Sequence, residues 1–230
     1  MPNNHQDHAP IAAARSTEGH ASRLLAASVL IINLVIIAIG IQSLLYSRAR
    51  TLEQVANSTT NLAFLIEQNV ADSARRIDLA LLNIVHTLEH ELATGGIDPQ
   101  EVGHVLDLQN GQLPEVDAFR VTDETGRLRW GKGVTPKTTE SYADRPFFST
   151  HQAAPGAAMV VGEPVLGKVS NIWVIPFTRS YRKADGSLGG VINATVALSY
   201  FYDQLSTLKL GAHGSAVIRH YNNGLATRYP

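Results

Sequence analysis

The chain has 230 residues, 44% of them hydrophobic, enough for one membrane segment and about one domain of ordinary size. Its 19 Lys and Arg nearly balance 20 Asp and Glu, to a net charge of −1, and are scattered along the chain. Neither nucleic acid nor an acidic membrane surface is therefore indicated as a partner. The absence of cysteine excludes disulfides, cysteine–zinc sites and thiol catalysis.

Residues 1–21 are polar, carry Ala and His, and lack periodicity; a disordered cytoplasmic tail is expected. Residues 22–45 read as a transmembrane helix. From Leu24 to Leu45 there is no charge, and Ser28, Asn33, Gln42 and Ser43 are the polar exceptions. At about 1.5 Å per residue this run reaches about 33 Å, enough to cross a hydrocarbon core of about 30 Å. It is too long for the apolar core of a cleaved signal peptide, and Ile-Gln-Ser-Leu-Leu is not a small-residue cleavage site. Arg15 and Arg23 before the span match Arg48 and Arg50 after it, so charge does not set the orientation.

Residues 46–94 predict a stalk helix. Leu52, Val55, Thr59, Leu62, Ile66, Val70, Ser73, Ile77, Leu81, Ile84, Leu88 and Leu92 recur at steps of three and four, the stripe of a helix with one buried face. Gly95-Gly96 supplies the stop. Such a helix, about 69 Å long, must pack against a domain, a second copy of itself, or both. A short helix over 100–108 follows, with Val102, Val105 and Leu106 on one side.

From Val116 the texture changes to short strands and turns. Residues 116–121 and 127–130 flank Thr-Asp-Glu-Thr-Gly, a hairpin. A short helix carries Arg145-Pro146-Phe147-Phe148, with Asp144 suited to cap it and Pro146 to its first turn. Strands are expected over 158–161, 172–178 and 188–198, then a helix over 200–208. Residues 216–225 echo the first hairpin, apolar strand then polar turn ending in Gly, so a second unit is expected to begin near 213 and to be truncated at 230.

The order of these motifs carries a resemblance. After membrane helix, stalk and Asp-x-x-Gly hairpin come Asp144-Arg-Pro-Phe-Phe148 and Gly162-Glu-Pro-Val165. Trp173-Val-Ile-Pro-Phe-Thr-Arg179, Asp185-Gly-Ser-Leu-Gly-Gly-Val-Ile192 and Tyr200-Phe201 complete the set. Roughly from residue 48 onward, this resembles a double-Cache (PAS-like) extracytoplasmic sensor of bacterial membrane signalling proteins. These include GGDEF-type diguanylate cyclases, sensor histidine kinases and chemoreceptors. The resemblance implies an α+β fold: the transmembrane helix continues into a stalk packed on an antiparallel sheet. Residues 95–212 form a membrane-distal lobe, and 213–230 start a truncated second one. It further implies a periplasmic sensor on the bacterial inner membrane with a single visible span, a homodimer, and a small-molecule ligand, with the output domain missing.

In that family the pocket lies between the sheet and the Arg-Pro-Phe-Phe segment. Strand alternation adds that Ile192, Ala194, Val196 and Leu198 suit the stalk, whereas Val191, Asn193 and Thr195 suit a half-polar pocket. Trp173, Ile175, Phe177 and Arg179 share a face of the preceding strand. The expected ligand shell is Tyr142, Arg145, Phe147, Trp173, Arg179 and Asn193, with Arg145 as the main partner of a carboxylate. The family's amino-acid-binding subset carries Arg-x-Trp and a later Tyr-x-Asp; here Phe147 stands in the Trp position and no Tyr-x-Asp follows.

Two rival readings belong to other classes. His86-Thr-Leu-Glu89-His90 matches the inverted zinc-protease motif, with two His one helical turn apart and Glu89 as base. Both His lie about 200° round the helix from the apolar stripe, as residues of a solvated face do. The other rival is a membrane-anchored scaffold needing no pocket. No catalytic set, metal site or cofactor is expected.

Overall fold

The computed structural model describes residues 11–211, 214–219 and 224–230. By internal contacts the chain divides into two units, Met1–Asn61 and Leu62–Pro230. Helix α1 (Ile11–Thr94) contributes to both.

Within the first unit, α1 takes in residues 11–21 as well, where Ala12, Ala13 and Ala14 are strong helix formers leading into the apolar run. Residues 1–10 lie outside the described residues. The large apolar side chains between Leu24 and Leu45 are 50–73% exposed, so the protein itself covers none of them. Among the described residues, this is the one helix long and apolar enough to cross a membrane. Just past it, the Arg50 guanidinium sits 4.5 Å over the Tyr46 ring and donates to its hydroxyl at 2.9 Å, an amphipathic pair suited to a membrane surface.

In the second unit α1 ends where the glycines permit a left-handed turn, with Gly95 at φ 148° and Gly96 at φ 118°. The Gly96 amide donates back to the Glu91 carbonyl at 2.9 Å. Helix α2 (Pro99–Gln112) is capped by the Asp98 carboxylate on the Gln100 amide, and it buries Val102 and Leu106. Strands β1 (Val116–Thr122) and β2 (Leu128–Gly131) form the expected hairpin. The Asp123 carboxylate holds its turn by accepting from the Thr125 and Arg127 amides.

Helix α3 (Pro146–Ala153) follows a long loop, and β3 (Val160–Val161) and β4 (Val165–Leu166) are short edge pieces. Strands β5 (Trp173–Arg182) and β6 (Leu188–Ala197) form the centre, and α4 (Leu198–Ser206) follows directly. The sheet order is β2-β1-β6-β5-β3, with β4 also on β5, and every pairing is antiparallel. Pro176 is tolerated inside β5 because the outer edge there passes from β4 at Val174 to β3 at Phe177, leaving no ladder bond for its missing N–H.

The sheet has two differently furnished faces. Ile192, Ala194 and Val196 of β6 join Phe119, Val121, Ile175 and Phe177 in one core with Ile77, Leu81, Ile84 and Leu88 of α1. Leu128 and Val191 instead join Tyr142, Phe147 and Phe148 in a second, smaller cluster. Strands β7 (Ala216–Arg219) and β8 (Leu225–Tyr229) pair in a separate sheet that packs on α4, where the Tyr202 and Tyr229 rings meet edge-on at 5.3 Å.

Candidate functional site

The polar side of the sheet follows from register. Arg120 of β1 stands opposite Asn193 of β6, and Asn193 stands opposite Thr178 of β5. Directly paired residues project to the same face, so three adjacent strands present a row of polar side chains. Thr195 lies two residues along and completes the group. All four are buried, at 0–3% exposure. Over this row sit Tyr142, whose ring meets Phe147 edge-on at 5.7 Å, and α3, which brings in His151.

Arg120 is the centre of charge. Its Nε donates to the Lys132 carbonyl at 3.0 Å and its Nη1 to the Thr195 hydroxyl at 3.3 Å. The nearest carboxylate, Asp117, stands off at 3.8 Å, and its second oxygen is 3.6 Å from Lys132. Charge-assisted pairs normally close to about 2.7–2.9 Å, so a guanidinium 3% exposed is only partly neutralised. Gly131, at φ 124°, makes the arrangement possible. A Cβ there would strike the Phe119 carbonyl and the Arg120 backbone.

Two more atoms are left wanting. Thr178 donates its hydroxyl proton to the Val160 carbonyl at 3.1 Å, so its oxygen accepts from His151 Nε2 at 3.0 Å. His151 Nδ1 is then an acceptor, and it has no donor. Burial pushes this imidazole below its ordinary pKa, and Arg179 adds to the effect. Asn193 Oδ1 is likewise buried without a partner. Each such atom costs about 1–3 kcal/mol until something donates to it. Burial raises the Tyr142 phenol pKa, opposed by Arg120 and Arg145, and its hydroxyl is within reach of Arg120 and Asn193.

Of the residues expected in the shell, Tyr142, Phe147 and Asn193 converge here. Arg145 sits at the rim as the N-cap of α3, its Nη2 donating to the Leu166 carbonyl at 2.8 Å. Asp144 does not cap that helix; it pairs with Lys168 at 2.6 Å, which holds its carboxyl below the usual range. Trp173 and Arg179 are not brought to the site. Arg179 pairs in register with Ile192, on the α1 side, and grips Asp78 of α1 through two bonds of 2.5 and 3.0 Å. Trp173, 57% exposed, lies at the start of β5 opposite Leu166. Arg120 and His151 were not anticipated. Arg120 was legible as a lone cation between Phe119 and Val121 in an otherwise apolar strand.

The protease-like motif is dispersed by contacts of another kind. His86 and His90 are exposed on α1, and the Glu89 carboxylate accepts from the Arg182 amide at 2.9 Å. Among the described residues no three His, Asp or Glu gather as metal ligands do.

No protein-family model matches the chain, and no curated protein matches it significantly. Solved structures do. The extracellular domain assigned to a histidine kinase, rpHK1S-Z16, superposes with a TM-score of 0.66 at 24% identity, over 76% of this chain and 72% of that one. The ligand-binding domain of the Pseudomonas fluorescens chemoreceptor CtaA, in complex with L-isoleucine, gives 0.59 at 16%, over 78% and 71%. That of the Campylobacter jejuni chemoreceptor Tlp3, in complex with 4-methylisoleucine, gives 0.56 at 14%, over 76% and 70%. The chain thus shares the helix-plus-antiparallel-sheet fold of these extracellular histidine-kinase and chemoreceptor domains.

Proposed function

We propose that the chain is the extracytoplasmic small-molecule-sensing module of a transmembrane signalling receptor, whose output domain is a GGDEF-type diguanylate cyclase or a histidine kinase. The observation that carries this is the buried, under-neutralised Arg120 beside two unpartnered acceptors. A scaffold has no use for them, whereas a ligand with an anionic group and a hydrogen to donate answers the guanidinium and an acceptor together. The amino-acid complexes of the CtaA and Tlp3 domains support a ligand of similar size bearing a carboxylate.

In this reading residues 1–21 face the cytoplasm, 22–45 cross the bacterial inner membrane, and 46–94 form the stalk. Residues 95–212 form the periplasmic sensing lobe, and 213–230 open a second lobe. The chain performs no catalysis. Two copies pair along the stalk, where Val55, Phe64 and Leu65 are exposed. Arg120 receives the ligand's carboxylate from the sheet, Tyr142, Phe147 and Asn193 enclose it, and Arg145 adds positive potential from the rim. Trp173 and Arg179 have no contact with the ligand.

The test is thermal shift of the full chain in nanodiscs against a panel of small organic acids, followed by titration of the hits. A charge-assisted contact contributes about 1.5–3 kcal/mol, so Arg120→Gln should weaken binding about tenfold or more. Arg145→Ala should weaken it less, and Arg120→Lys should restore part of the loss. If no acid shifts the transition, or if Arg120→Gln binds as the parent does, the assignment of this site fails.

A further inference from the structure

The polar inventory of the site is specific enough to choose among carboxylates. Arg120 and Asn193 are directly opposed across two strands, Asn193 and Thr178 across the next, and Thr178 touches His151. Opposed residues in an antiparallel pair are about 4.5–5.5 Å apart at Cα, so one molecule three or four carbons long spans the cation and the acceptors.

What such a molecule must carry next to its carboxylate follows from charge. Asn193 Oδ1 and His151 Nδ1 both want a donated hydrogen. An ammonium supplies one, yet it brings a positive charge to a place that already holds Arg120. Tyr142, His151, Thr178, Asn193 and Thr195 are neutral and give it no counter-ion. Asp144 is committed to Lys168, and the single charge of Asp117, whose Oδ2 is buried without a hydrogen-bond partner, is already shared by two cations, Arg120 and Lys132. A buried ammonium beside a buried guanidinium without an acid is strongly disfavoured. An unsubstituted fatty acid avoids that repulsion and leaves both acceptors unpartnered. A hydroxyl meets both conditions, since it donates a hydrogen and adds no charge.

Resting on the sensing role above, we infer that the site takes a small hydroxycarboxylate, its carboxylate on Arg120 and its hydroxyl donated to Asn193 Oδ1 or His151 Nδ1. Phe147, Phe148 and Val191 form an apolar cover, against which a short aliphatic tail would pack.

The experiment compares three molecules that differ in one substituent. L-lactate, propionate and L-alanine are titrated calorimetrically into the full chain in nanodiscs, with 3-hydroxybutyrate and butyrate as a longer pair. Each hydroxy acid is expected to bind about tenfold or more tightly than its unsubstituted partner, and L-lactate more tightly than L-alanine by at least as much. Asn193→Leu should abolish the preference for L-lactate over propionate, bringing the two affinities together. Asn193→Asp should shift preference towards L-alanine by supplying the missing acid. L-alanine binding as well as L-lactate, parity of hydroxy and unsubstituted acids, or no binding by any of the five overturns the hydroxyacid inference. The comparison within the unmutated chain stands whatever the variants' folding. The sensing site itself fails on separate findings: no acid of the wider panel shifts the thermal transition, or Arg120→Gln leaves the affinity of bound acids unaltered.

Discussion

A charged group inside a sheet has to be accounted for by its surroundings, and the surroundings of Arg120 account for it incompletely. Its carboxylate stands at 3.8 Å, and two neighbours in the same polar cluster, Asn193 and His151, each keep an idle acceptor. His151 gives this cluster a signature in stability. Burial holds its pKa below the ordinary 6.5. Between the folded and unfolded values the unfolded chain binds more protons, so stability rises with pH across that interval. The contribution is complete above about pH 6.5 and is lost as pH falls through the depressed folded-state value. Melting temperature should therefore fall between about pH 7.5 and 5.5 more steeply in the parent than in His151→Gln, which keeps a donor for Thr178; parallel slopes would refute the buried neutral imidazole. Tyr142, Phe147 and Asn193 were readable from motif order and strand alternation. Arg179 and Trp173 were not, because β5 is apolar on both faces, with Val174 and Pro176 against Ile175 and Phe177. Alternation alone cannot say which face meets the helix. Register against β6 decides it, and that register is long-range information.

At the scale of elements, α1 has to satisfy two different environments with one stripe. From Ser73 to Leu88 the stripe is buried by the sheet, and three ion pairs fix the helix alongside it: Arg76 to Glu115, Asp78 to Arg179 and Glu89 to Arg182. Nearer the apolar span the same stripe lacks cover; Val55 is 58% exposed. Pairing with a second copy would bury it. Replacing Val55, Leu62 and Ile66 together by Ala should weaken self-association in analytical ultracentrifugation while leaving the thermal transition of the sheet in place; unchanged association would exclude this interface. The long helix, its double-Gly stop, the first hairpin and the two central strands were legible because each has a strong local signature. Helix α3 was legible too, from Pro146 in its first turn, although Asp144 does not cap it. The two-residue β4 was not, and exists only because β5 offers it an edge.

For the whole molecule, the proposed sensing role implies a topology that charge did not set. A periplasm-dependent reporter fused after Pro230 should be active and one fused before Met1 silent; the reverse pattern would overturn the orientation. Under that proposal, the two central strands divide their residues between recognition and the hold on the stalk. In β5, Thr178 belongs to the side of the polar cluster and the very next residue, Arg179, to the helix side, and β6 divides the same way at Asn193 and Ala194. Odd and even positions along one strand thus answer to separate demands. Substitutions at one parity alter what is recognised, and those at the other alter how firmly the stalk is held. New ligand preferences can accumulate without retuning the output, whereas a single-residue deletion in either strand exchanges the two roles at once and should abolish both.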